Sequence, residues 1–160
     1  MIYMKLKLFI AVLLCLSFYS NSRAQQSYKG LPSLIWPKLY DITFVAAKDE
    51  LGTYDKPVFS EPVKKLNGKS VTLPGYIVPF ENKVKSSHLM LSSLPLNACF
   101  FCGVGGPETV VEVYLNKEIT YTDKPVEVKG TLVLNESDPD KLFYILKNAE
   151  VLGEVDALMR

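Results

Sequence analysis

The chain has 160 residues with 18 basic and 17 acidic side chains and one histidine, a near-neutral balance in which no basic run exceeds Lys64-Lys65. Nucleic acid, which draws proteins bearing a basic patch or stripe, is therefore not an expected partner. The length fits one domain with a single core, and no internal repeat, heptad pattern or low-complexity tract divides it.

In chain order, Lys5 and Lys7 precede an almost wholly apolar run over residues 8–19, and Ser22-Arg23-Ala24 is a small-x-small cleavage site. Residues 1–24 thus read as a secretory signal. Removing them leaves fifteen basic and seventeen acidic residues, a net charge of about −2. The apolar run is shorter than the roughly 20 residues a membrane-spanning helix needs, so the mature chain is expected to be soluble, without a membrane span, in a periplasm or outside the cell. Cys15 reads as leaving with the signal, because Leu14 stands where lipid attachment requires a small residue.

Residues 25–65 read as an N-terminal extension. Ser33 to Trp36 has the composition of a cap and first helical turn, Tyr40, Ile42 and Phe44 alternate as an extended segment, and residues 46–62, with Pro57 and Pro62, are expected to be irregular. From residue 66 to 152 the pattern is period-two alternation broken by turns, the signature of antiparallel strands with one buried face. The first strand is expected over residues 69–80, with Val71, Leu73 and Ile77 on one face and Gly75 at a bend. After a turn at Asn82 and Lys83 comes a second strand over 87–94, with Leu89 and Leu91 facing one way and His88 and Met90 the other. Residues 109–115, 125–134 and 143–152 complete a set of five, with Gly130 at a possible kink, and 153–160 is a loose tail.

Five strands with glycines at bends and no helical crossover indicate an all-β protein, a small OB-like Greek-key barrel; a two-sheet sandwich is the alternative. The connection over residues 116–124 is too short for the helix such barrels often carry there.

Between the second and third strands lies Cys99-Phe-Phe-Cys102-Gly-Val-Gly-Gly-Pro-Glu108, holding the only cysteines outside the signal. Three chemistries are open to it. In an oxidising compartment the pair can close a small disulfide ring, which contributes modestly because chain-entropy stabilisation grows with loop length. Alternatively, two thiolates suit Cu(I) or half of a tetrahedral Zn²⁺ site, with His88 and Glu108 the candidates to complete it. Thirdly, Cys99 could attack and Cys102 resolve in thiol-disulfide exchange, although no neighbouring Lys, Arg or His activates either thiol. Covalent haem attachment is disfavoured because Gly103, not histidine, follows the second cysteine. No Gly-x-Ser-x-Gly elbow is present, and Gly103-x-Gly105-Gly106 lacks the lysine of a phosphate loop. Glu108 and Glu112 could lie close in space, but as a pair on or near one strand they read as solvated charges more often than as an acid–base couple. Asn135-Glu-Ser137 is a formal glycosylation sequon.

The segment Leu66-Asn-Gly-Lys-Ser-Val-Thr-Leu-Pro-Gly-Tyr-Ile-Val-Pro-Phe80 resembles an exported bacterial family known as domain of unknown function 3299. An upstream Trp36-x-x-Leu39 element, the Ser/Leu-rich second strand, the cysteine-containing loop and the Val126-x-Val128-x-Gly130 strand follow the same order. The resemblance implies the barrel but lends no activity. It also implies a histidine and prolines after the first cysteine, where this chain has Phe101, Cys102 and Gly103 to Pro107, a CxxC variant. The expected product is an exported binding module for a metal or an unknown protein partner, with a structural disulfide domain or a thiol oxidoreductase as competing classes.

Overall fold

The computed structural model describes residues 31–49, 52–80 and 84–155; the signal, the Asn82-Lys83 turn and most of the tail lie outside them. The elements are a short helix α1 (Trp36–Leu39), a hairpin β1 (Ile42–Asp49) and β2 (Gly52–Phe59), helix α2 (Glu61–Lys64), and strands β3 (Ser70–Pro79), β4 (Lys85–Ser92), β5 (Val110–Thr120), β6 (Val126–Leu134) and β7 (Tyr144–Glu154). Three 3-10 turns, Leu96–Ala98, Phe100–Cys102 and Pro107–Thr109, fill the connection from β4 to β5.

Strands β3 to β7 close into a barrel in the order β3-β4-β5-β7-β6. All ladders are antiparallel except β5 with β7. The first barrel strand touches the second and fourth, and the third runs parallel to the fifth, which is OB-like topology and not a sandwich. No helix interrupts the passage from β5 to β6, as its length requires.

Closure needs a strand that serves two neighbours. Ser70 to Gly75 pair with β6, and Tyr76 to Pro79 pair with β4. Gly75 stands at the changeover, where an added Cβ would lie 2.5 Å from Leu91 Cγ and 2.8 Å from the Ser92 carbonyl oxygen. Gly75→Ala must push β4 outward and is expected to cost about 1–3 kcal/mol, as overpacking does, read as a lower urea midpoint at unchanged slope.

Alternation fills the interior. Val71, Leu73, Ile77, Leu89, Leu91, Val111, Val113, Val126, Val128, Leu132 and Leu146 belong to one core. The N-terminal segment is part of it. Ser33 Oγ accepts from the backbone N–H groups of Ile35 and Trp36 at 3.0 and 3.1 Å, starting α1 so that Trp36 and Leu39 enter the same core. The buried Trp36 Nε1 donates to the Pro74 carbonyl at 2.7 Å, and Tyr144 Oη donates to the Leu39 carbonyl at 2.6 Å.

Residues 46–62, expected to be irregular, instead complete β1, form β2 and begin α2. Pro57 is tolerated because β2 has no described partner beyond β1 and so needs no donor on its outer side. Phe44 of the hairpin packs on Phe143 with centroids 5.4 Å apart. Among the described residues no helix is long and apolar enough to cross a membrane.

Candidate functional site

On β5, Val111, Val113 and Leu115 point into the barrel, so Glu112 and Tyr114 must point out. On β4 the outward positions are His88 and Met90. Antiparallel pairing sets His88 opposite Tyr114 and Met90 opposite Glu112, which makes His88 and Glu112 diagonal neighbours on one face. The register jumps between Ser86 and His88. Ser86 bridges the irregularity, donating from Oγ to the His88 carbonyl at 2.6 Å and accepting the His88 N–H at 3.0 Å.

The outcome is a stacked cluster. The His88 ring lies 4.4 Å from the Tyr114 ring at 12° and 4.5 Å from the Phe80 ring at 27°. Its Nε2 is 2.8 Å from Glu112 Oε1, which also accepts from Tyr114 Oη at 2.5 Å. Glu112 Oε2 accepts the Leu142 N–H at 3.1 Å. Glu112, expected to be a solvated charge, is instead only 3% exposed. The loop between β6 and β7 folds over it, a tertiary event that strand alternation alone does not encode. The His88 side chain remains 44% exposed.

Burial pushes the Glu112 carboxyl up, but the hydrogen bonds from Tyr114, His88 and the Leu142 backbone, with the charge of His88, outweigh it and hold the group below its ordinary value of 4.5. The same bond pushes the Tyr114 phenol up to about 12, with burial and the carboxylate charge adding to it. Tyr114 is therefore a donor to Glu112 throughout the physiological range. Facing an ionised, acceptor-only carboxylate, His88 directs an Nε2–H at Glu112 Oε1.

The β6–β7 loop owes its shape to Asn135. Its Nδ2 donates to the carbonyls of Asp138, Lys141 and Leu142 at 2.7, 3.2 and 3.3 Å, while Oδ1 accepts from the N–H groups of Ser137 and Asp138. The nitrogen a glycan would occupy is thus committed to the loop, which argues against use of the sequon. Asn135→Ala should cost about 2 kcal/mol and speed hydrogen exchange at Leu142, the loop's contact with Glu112.

The cysteine loop is a separate place. Cys99 is buried, at 1% exposure, just ahead of the Phe100–Cys102 turn, which Gly103 ends in the left-handed region at φ 78°. The side chain of Cys102 lies outside the description. Glu108 is half-buried, and its charge helps burial raise the phenols of Tyr40 and Tyr144, placing it toward the α1 end. Of the four expected ligands, then, His88 is held by Glu112 on the β4–β5 face. Among the described residues no three His, Cys, Asp or Glu side chains group to hold a metal ion.

Phe80, Glu112 and Tyr114 were not among the expected site residues. The signal that finds them is register: once β4 pairs antiparallel with β3 and β5, the outward His88 must meet Phe80, just past Pro79, and the outward residues near position 113.

The fold and this face define a small OB-like barrel presenting an aromatic and carboxylate cluster on its second and third strands. Residues 37–151 match the family described as Protein of unknown function (DUF3299), and the chain belongs to that family. A crystal structure of a DUF3299 family protein from Pseudomonas aeruginosa PAO1 is 22% identical, covering 58% of this chain and 67% of that one, with a TM-score of 0.42. No curated protein matches the chain.

Proposed function

We propose that this protein is an exported binding module whose ligand lies across the outer face of β4 and β5. One observation carries the reading: His88, half exposed, is clamped between Phe80 and Tyr114 and fixed by the buried Glu112. OB barrels bind their ligands on the second and third strands, flanked by the loops joining strands one to two and four to five. Here those loops follow Phe80 and contain Leu142. A buried carboxylate that immobilises two ring side chains is the support a preorganised site requires.

Phe80→Ala and Tyr114→Ala should each weaken binding to oligosaccharide, peptide or single-stranded oligonucleotide probes, followed by calorimetry, while leaving the barrel folded. Unchanged affinity in both would remove the face from the reading. Export is checked by the mature amino terminus, expected at Gln25.

A second reading concerns the cysteine loop. Cys99 is extended and immediately precedes the Phe100–Cys102 turn, so the two cysteines stand at either end of one short turn. That spacing supports a thiol pair, either disulfide or soft-metal ligand. Thiol counting with metal analysis of the purified mature protein, compared with Cys99→Ser, separates the two.

A further inference from the structure

Beside Tyr114 a cleft of about 420 Å³ is lined by Tyr114, Leu115, Asn116, Lys141, Lys147 and Asn148. Its floor is made by an irregularity in β7. Along that strand Leu146 and Ala149 are buried, yet both Lys147 and Asn148 between them are exposed. A regular strand alternates and would send one of the two inward. Here an extra residue is inserted: the register of β7 shifts against β5 between Val113 and Leu115 and against β6 between Lys129 and Thr131. Asn148 takes up the insertion at φ 51°, the one non-glycine residue at positive φ among the described residues. Bulges recur beside functional sites because they re-aim side chains, and this one turns two polar side chains out next to the aromatic stack.

The polar groups have a definite sense. Lys141 is paired with Asp138 at 2.8 Å, whereas Lys147 has no ion-pair partner among the described residues. Tyr114 Oη has spent its proton on Glu112, so it offers lone pairs outward beside the His88 ring. A face of acceptors beside ring surfaces suits a ligand rich in hydroxyl donors. One uncompensated ammonium suits a single carboxylate. A phosphodiester backbone offers no donors and calls for a row of cations, whereas among the described residues the cleft holds two lysines, one of them paired with Asp138.

We propose that the cleft and the adjoining Phe80, His88 and Tyr114 stack bind a carboxylate-bearing saccharide, its ring face lying on the stack, its hydroxyls donating to Tyr114 and the asparagines, and its carboxylate meeting Lys147. This rests on the binding-face reading above and names its ligand class. The test is titration of the mature protein with a galacturonic acid trimer, N-acetylmuramic acid, neutral maltotriose, an oligothymidylate and a short peptide, followed by calorimetry and amide shifts. At least one carboxylated sugar should bind about tenfold more tightly than maltotriose, and Lys147→Ala, at an exposed position, should remove that advantage, as loss of one charge-assisted contact does. Equal affinity for neutral and carboxylated sugars, or an advantage that survives Lys147→Ala, overturns the proposal. Amide shifts on this face with oligothymidylate or peptide but neither acid sugar overturn the ligand class and leave the binding face standing. Silence toward every probe overturns both.

Discussion

Trp36→Ala should remove about 4 kcal/mol of stability, as truncation of a fully buried tryptophan does. Trp36 is 1% exposed, sits in the core shared by α1 and the barrel strands, and donates its indole N–H to the Pro74 carbonyl. Truncation leaves a cavity and also strands a buried carbonyl beside the Gly75 corner. Since domains of this size are stable by only about 5–15 kcal/mol, the variant should lie close to the unfolding threshold. Trp36→Phe keeps most of the ring volume and loses the bond, so it should cost about 1–3 kcal/mol. Urea denaturation of both variants checks this. Equal, small losses would mean that α1 is a loosely attached arm and not part of the core.

The second large effect belongs to Glu112. Glu112→Ala removes one side chain that accepts from Tyr114, His88 and Leu142, and should destabilise by about 3 kcal/mol, because the Leu142 N–H loses its partner under the loop. Glu112→Gln is milder. Its single oxygen can serve either the Tyr114 and His88 pair or Leu142, and its NH₂ group then faces a donor on the other side.

The two variants also differ from wild type in pH dependence. The folded carboxyl titrates below 4.5, so the unfolded chain binds that proton more readily. The stabilisation it supplies is complete above 4.5 and is lost as pH falls through the lower folded value. Wild type should therefore weaken in that acid window, and Glu112→Gln should lack this component of the slope. A variant with the wild-type acid profile would show that Glu112 is not the group responsible.

Much of the barrel is legible in the sequence because alternation and glycine placement are local signals. Val71, Leu73 and Ile77 share the core face as their spacing requires, and Gly75 occupies the corner where no Cβ fits. The β1–β2 hairpin is hidden because Pro57 is a strand breaker everywhere except at an edge, and edges are a property of the sheet. Glu112 is hidden for a related reason. In β5 it reads as one outward charge between Val110 and Tyr114, and only the Asn135-ordered loop, arriving from far along the chain, buries it. His88 and the cysteines stand out as residue types, whereas the partner of His88 depends on strand register that no single segment contains.

The most direct test of the binding face is amide chemical-shift mapping of the mature protein with any probe found to bind. The structure predicts perturbations at His88, Glu112, Tyr114 and Leu142, residues joined by one carboxylate. Shifts confined to the Cys99 to Gly106 loop, with those four amides unmoved, would place the ligand at the other end of β4 and contradict it.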